Sequence, residues 1–309
     1  MQHDIQTPIR SCGGPPPLGF ASLRGGFAAL LRGLRNAFVL VALLLPLLLG
    51  APLAAEPILE PSDAVPSELA AELDELDGTA IARRAEDVLR SDRTYMEATM
   101  TVVSPRLGKP RRVTFRSWDD RVEDRSFIRI LSPSKDAGTG FLRLPPNLWT
   151  YVPRVERTMR IPPSMMLQPW MGSDFTNDDL VNESSAVEDY EHRLLRIDDS
   201  PEGHEGQHAY VLEYKPREEA PVVWGRIVGW IAVEHFTPLR QDFYDEHGVK
   251  VRSMRFGDIR EVDGRRVPHL WIMTPLEKKG HETRLQLERI DFDASFDDGI
   301  FTTRNLKKR

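Results

Sequence analysis

Between residues 94 and 292 the chain is a series of short runs in which apolar and polar residues alternate, parted by tight turns. That period of two limits the fold more than any other feature. In the first run Met96, Ala98, Met100 and Val102 fall on one side, and Tyr95, Glu97, Thr99 and Thr101 on the other. After a turn at 105–110, Val113 and Phe115 continue the apolar side. Similar runs follow, with Glu246-His247-Gly248 and Asp263-Gly264 as hairpin turns. About eleven or twelve short strands with such turns leave no room for helical crossovers, so the sheet is predicted to be antiparallel and strongly curved. One face is wet and one dry. The dry face holds more Met, Trp and Phe than a packed sandwich needs, so a helix, a lid or a ligand must fill it.

Two segments can supply that filling. Residues 79–90 read as a helix, with Ile81, Ala85, Val88 and Leu89 on one face and Arg83, Arg84, Glu86 and Asp87 elsewhere. The other is the one place where the alternation stops, Arg160 to Leu180. Three prolines (Pro162, Pro163, Pro169) interrupt it, and Met165, Met166, Leu167, Trp170 and Met171 form a soft apolar cluster suited to repacking around different shapes. Thr176 with Asp179 reads as a capping box, and Phe175 with Leu180 as a hydrophobic staple, so a helical turn should end the segment. The expectation is a lid lying across the sheet; an ordinary core plug is the alternative.

The first 55 residues differ from the rest. Arg24, Arg32 and Arg35 precede a nearly unbroken apolar run at 37–49, followed by Ala-Pro-Leu-Ala-Ala-Glu, the pattern of a secretory signal. The run is shorter than the roughly 20 residues of a membrane span, and a tethered signal anchor is the alternative. Residues 56–78 read as a flexible leader and 79–309 as one domain. The single cysteine, Cys12, precedes the apolar run, so it is not the lipid-modified cysteine of a bacterial lipoprotein, and the exported part has no disulfide or thiolate chemistry. Export without disulfides fits a bacterial periplasm. Without residues 1–55 the chain goes from 41 basic and 47 acidic residues to 37 and 46, a net −9. That balance argues against a nucleic-acid partner, which needs a basic face.

No motif makes a case for catalysis. His204-Glu205-Gly206-Gln207-His208 matches the zinc-protease spacing, which requires both histidines on one helical face; Pro201, Gly203 and Gly206 break any such helix. Ser132-Pro133-Ser134-Lys135 matches a penicillin-binding nucleophile pattern, but the Lys-Thr-Gly triplet that accompanies it is missing.

Three blocks carry a family resemblance: Leu148-Trp149-Thr150-Tyr151-Val152-Pro153, then Arg157-Thr158-Met159-Arg160-Ile161, then the run from Trp170-Met171-Gly172-Ser173-Asp174-Phe175 to Thr176-Asn177-Asp178-Asp179-Leu180. With Gly225-Arg226-Ile227-Val228, Trp230-Ile231, Pro238-Leu239-Arg240 and Phe301-Thr302 they resemble the outer-membrane lipoprotein-sorting family of LolA-like proteins. The resemblance implies a mainly β fold, a curved, incompletely closed antiparallel barrel of the LolA/LolB kind, with an N-terminal helix and a lid over about 162–180. It implies a hydrophobic cavity for the acyl chains of a lipoprotein or lipid, no cofactor and no metal, an inner-membrane transporter as donor and an outer-membrane acceptor. The broad family leaves another reading open, a non-carrier periplasmic subunit of an RND-type transporter. For a carrier, Met96, Met100, Val113, Phe115, Trp149 and Tyr151 are candidate cavity walls, and Met165, Met166, Leu167, Trp170, Met171 and Phe175 the lid. Trp149/Tyr151 and Leu148/Val152 lie on opposite faces of one run, so which pair points inward stays open.

Overall fold

The computed structural model describes residues 77–308 apart from 182–185, 200, 219, 221 and 223. The candidate signal segment, Cys12 and nearly all of the expected leader therefore lie outside the described residues. Among the described residues thirteen strands form one antiparallel sheet: β1 (Arg93–Val103), β2 (Arg111–Asp120), β3 (Arg125–Ser132), β4 (Gly140–Leu144), β5 (Asn147–Val152), β6 (Arg157–Ile161), β7 (Tyr190–Asp199), β8 (His208–Pro216), β9 (Arg226–Ala232), β10 (Pro238–Tyr244), β11 (Lys250–Val262), β12 (Arg265–Pro275) and β13 (Glu282–Asp291). Helix α1 (Gly78–Leu89) precedes them, α2 (Asn177–Val181) lies between β6 and β7, and α3 (Thr303–Leu306) follows β13.

The strand order is β6-β5-β4-β3-β2-β1-β13-β12-β11-β10-β9-β8-β7. Sequence neighbours pair throughout except β6 and β7, with one addition: β1 also pairs with β13, Met100 facing Leu285 and Val102 facing Thr283. The free edges are thus β6 and β7, and no backbone ladder joins them. The result is a curved, incompletely closed antiparallel barrel.

Register explains the dry face. Leu285, Met100 and Val113 form one cross-strand row. Leu287, Ala98, Phe115 and Ile130 form the next. Both rows lie in the main hydrophobic core, which reaches Tyr210 and Leu212 on β8 and takes in Ile81, Ala82 and Ala85 of α1. Helix α1 begins with the Asp77 carboxylate accepting from the Ala80 N–H at 2.6 Å, an N-cap that satisfies one otherwise orphaned donor. Asp77 and Gly78 therefore belong to the helix rather than to a leader. The helix packs against β7 and β12 on the inner side.

A second, smaller core lies on the outer face, where Phe127, Leu142 and Tyr151 meet Phe301 and Leu306 of the C-terminal segment. Arg129 fastens that segment, its guanidinium donating to the carbonyls of Gly138 (2.9 Å), Leu306 (3.2 Å) and Asn305 (2.6 Å). The longest strand spans two apolar runs parted by a Gly257-Asp258 interruption. Residues 250–256 and 259–262 both belong to β11, since Asp258 takes a left-handed φ of 49° between them without shifting the register with β12.

The β9–β10 pairing leaves no space beside Gly225. Its N–H donates to the Tyr244 carbonyl at 3.0 Å, and a Cβ there would lie 2.4 Å from the Asp245 carbonyl oxygen. Gly225→Ala is expected to cost about 1–3 kcal/mol by overcrowding. Urea unfolding should show a lower midpoint at unchanged slope.

Candidate functional site

The inner face of the barrel is covered by two things, α1 and the chain between β6 and β7. That connection is not a smooth strap. Short 3₁₀ turns at Pro163–Met165 and Trp170–Gly172 break it, as its prolines and Gly172 (φ 68°) dictate. Residues 169–176 form a tight loop of their own: Pro169 and Thr176 make an isolated antiparallel bridge, and the Trp170 N–H donates to the Phe175 carbonyl at 2.8 Å. Trp170 and Phe175 thus enter the core as one unit. The Trp170 ring packs edge-on to Phe115 at 5.2 Å and against Phe141 at 5.5 Å. Its side chain is fully enclosed, and its Nε1–H meets no acceptor among the described residues.

The candidate lid residues divide by side. Trp170, Phe175 and Met166 are buried in the main core, and Met171 packs against its edge. Met165 and Leu167, 46% and 48% exposed, face outward. Of the candidate walls, Met100, Val113 and Phe115 are buried on the inner face, with Met96 half-buried beside them. Trp149 and Tyr151 are not brought together with these. The register Phe127–Leu142–Trp149 places Trp149 on the outer face, and Tyr151 joins it in the smaller core under the C-terminal segment. Leu148 is the inward residue of that strand.

Three polar ties hold the lid to the barrel. The Asp174 N–H donates to Thr283 Oγ1 (3.0 Å), and that hydroxyl donates back to the Asp174 carboxylate (2.7 Å). The Arg111 guanidinium donates to the Met171 carbonyl. The third tie is the Asp179–Arg252 pair, a two-pronged contact with both bonds at 2.7 Å. Asp179 also closes the capping box read from sequence, accepting from the Thr176 N–H (2.7 Å) and hydroxyl (2.8 Å) while its own N–H donates to Thr176 Oγ1 (3.2 Å). Burial alone would push the Asp179 carboxyl up. The Arg252 charge and the hydrogen bonds from Arg252 and Thr176 outweigh it and hold the carboxyl below the usual range. Arg252 is itself buried and lies over the Trp224 and Phe243 rings at 4.1 and 4.3 Å.

Two cavities flank the C-terminal end of α1. One of about 160 Å³ lies between Ala82, Ala85 and Leu89 and the Tyr214, Gly229 and Ile231 side of the barrel. The other, about 120 Å³, is lined by Leu89, Met96, Trp271, Leu287 and Ile290. Arg90 stands at both, held by Glu86 (3.3 Å) and Asp119 (2.9 Å). Burial pushes the Asp119 carboxyl up against the pull of Arg90. Burial also raises the Tyr214 phenol. Each cavity is smaller than the roughly 300–1,000 Å³ of ordinary ligand pockets, so neither holds a ligand of that size as it stands. His204 lies in a turn and His208 opens β8, its Nδ1 2.5 Å from Asp199; the pair shares no helix.

Arg252 and Thr283 were not singled out from sequence. The signal was present for both: each has the parity of the dry residues of its strand, Arg252 with Met254 and Phe256, and Thr283 with Leu285 and Leu287.

The model of a protein family described as uncharacterized matches residues 122–308. No curated protein matches the chain. Solved structures do. A DUF1329 family protein from Desulfovibrio piger is 24% identical, with a TM-score of 0.66 over 74% of this chain and 97% of that one. An outer membrane lipoprotein-sorting protein domain from Vibrio parahaemolyticus is 23% identical, with 0.64 over 75% and 98%. A LolA superfamily protein from Nitrosomonas europaea is 20% identical, with 0.63 over 74% and 99%. At these identities the likeness establishes the fold.

Two measurements probe how firmly the cover is seated. Trp170→Ala is expected to cost about 3–5 kcal/mol if the lid is shut in solution. Met165→Ala and Leu167→Ala should stay within about 0.5 kcal/mol. Equal small effects at all three would mean the lid is not seated. Asp179 supplies a pH dependence with a defined sign. Its folded pKa lies below the unfolded value of about 3.9, so its contribution is complete above that pH and is lost as pH falls through the folded pKa. Asp179→Asn should remove that dependence and, by leaving Arg252 unpaired, cost about 3–5 kcal/mol at neutral pH in thermal or urea unfolding.

Proposed function

The chain belongs to the uncharacterized protein family whose model spans residues 122–308, and from that premise we propose that it is a periplasmic carrier that shields acyl chains of a lipoprotein or lipid on their way toward the outer membrane. The observation that carries the reading is a continuous apolar inner face, running from Ile128 on one side of the sheet to Leu212 on the other, covered chiefly by α1 and a loop inserted as a unit. The fold is shared with a lipoprotein-sorting domain and a LolA superfamily protein, and that likeness supports the reading.

The physics asks for such a device. Hiding an acyl chain is worth ~0.8 kcal/mol per CH₂, so exposing two chains of ordinary length costs on the order of 20 kcal/mol. The two cavities beside α1 are too small for such a cargo. Withdrawing Trp170, Phe175 and Met166 joins their volume to the face lined by Met100, Val113 and Phe115. An inner-membrane transporter would load the carrier and an outer-membrane acceptor unload it. No residue is assigned a catalytic role.

The tight seating of Trp170 favours a second reading, a periplasmic subunit that docks on an RND-type transporter and carries nothing. Native mass spectrometry of gently purified protein, with lipid extraction, separates the two. The carrier predicts stoichiometric co-purified lipid, or a mass shift when an acylated peptide or lipid is added. A clean apo mass with no shift would sink it. Met166→Asp should abolish the shift in a carrier that remains folded by circular dichroism, whereas in a permanently plugged subunit it unfolds the domain.

A further inference from the structure

Resting on that reading, we propose that the lid end of the barrel settles on an anionic lipid surface through two neighbouring hairpin tips, β1–β2 and β12–β13. The tips are side by side because β1 pairs with β13. Ser104 Oγ lies 3.1 Å from His281 Nε2, and a Cβ on Gly280 would lie 2.9 Å from Pro105. Each tip raises one leucine into solvent, Leu107 (39% exposed) and Leu276 (47%). Arg106, Lys109, Lys278 and Lys279 surround them against one acid, Glu277, and none of the four cations is in an ion pair among the described residues.

The rest of the surface gives this patch its direction. The turns at the opposite end carry Glu123, Asp124, Glu202, Glu205, Glu234 and Asp263 against Arg121 alone. At the lid end the acidic β10–β11 turn (Asp245, Glu246) borders the β12–β13 tip, whose Leu276 N–H donates to the Val251 carbonyl at 2.9 Å, while Arg106, Lys109, Lys278 and Lys279 make the two leucine-bearing tips themselves net basic. The patch also runs into the lid: Lys278 and Leu167 line the same hollow of about 180 Å³, and Asp174 of the lid bonds Thr283 at the base of β13.

Charge complementarity selects the occupant. Protruding single leucines ringed by long cationic side chains do not form the concave, contiguous patch that a folded partner fills. They do match interfacial insertion, where the apolar tip enters the acyl boundary and lysine and arginine heads stay at the phosphates. Each cation near an anionic surface adds about 1 kcal/mol at modest salt. The placement brings the movable cover to the bilayer, the one surface from which an acyl chain can be exchanged without crossing water.

The test reads the tips individually, in the full chain with Cys12→Ser. Leu107→Cys, Leu276→Cys and, as a control on the opposite end, Val122→Cys (Val122 is 67% exposed) are each labelled with an environment-sensitive dye. They are mixed with vesicles of phosphatidylglycerol and phosphatidylethanolamine, or of phosphatidylcholine alone. The expected result is a blue shift at 107 and 276 on the anionic vesicles only. Lys278→Glu with Lys279→Glu should reduce it at least tenfold in apparent affinity, 1 M salt should suppress it, and position 122 should stay silent. Silent tips, an equal response at 122, or an equal response on neutral vesicles would overturn the proposal. Lipid retention in native mass spectrometry is a separate readout, so loss of either result leaves the other interpretable.

Discussion

The pairing of β1 with β13 is the constraint on which the rest of this molecule depends. It places the first and last strands at the centre of the sheet. The free edges, β6 and β7, therefore come from the middle of the chain, and the residues between them have to cross from one edge to the other. Here that segment lies over the inner face, with Trp170, Phe175 and Met166 in the core. Its composition decides how well it seats. The prolines keep it from adding a strand to β6, and the Pro169–Thr176 bridge folds it back so that two aromatic residues point one way.

Seating combines terms that respond to different conditions. The aromatic contacts of Trp170 with Phe115 and Phe141 are insensitive to salt and pH. The Asp179–Arg252 pair is electrostatic, buried and geometrically exact in its two bonds, and the aromatic faces of Trp224 and Phe243 back its cation. A buried pair of this kind is weak as a net stabiliser, because desolvation offsets its attraction. What it adds is position: only one placement of the Thr176–Asp179 turn lets Arg252 keep a partner.

Much of this was legible in the sequence, and where it was not the reason is physical. Period two in the first run gave the inward set of β1 and β2 directly, since Met100, Val113 and Phe115 lie on half-buried strands with polar opposite faces. The same reasoning could not orient β5. Both its faces are apolar, Leu148 toward the main core and Trp149 and Tyr151 toward the C-terminal segment. Alternation carries no information when both sides are covered, and the cover came from more than 140 residues later in the chain. The capping box at Thr176 and Asp179 was readable because it is local. The inward parity of Arg252 was readable too, but its pairing with Asp179 was not, because the contact spans 73 residues and depends on strand order. The split of the lid into inward and outward residues likewise follows from a single backbone bridge that no periodicity announces.

The indole N–H of Trp170 gives the closed form a built-in ceiling. A donor enclosed without an acceptor costs about 1–3 kcal/mol, and here it sits on the same ring that anchors the cover. That penalty disappears in any arrangement where water or a carbonyl oxygen reaches the ring. For a cover that opens as proposed, the unpartnered donor therefore brings the shut and open forms closer in free energy than aromatic packing alone would set them. Since about 1.4 kcal/mol is a factor of ten, in the proposed carrier one missing hydrogen bond is worth roughly 5- to 150-fold in the ratio of open to shut.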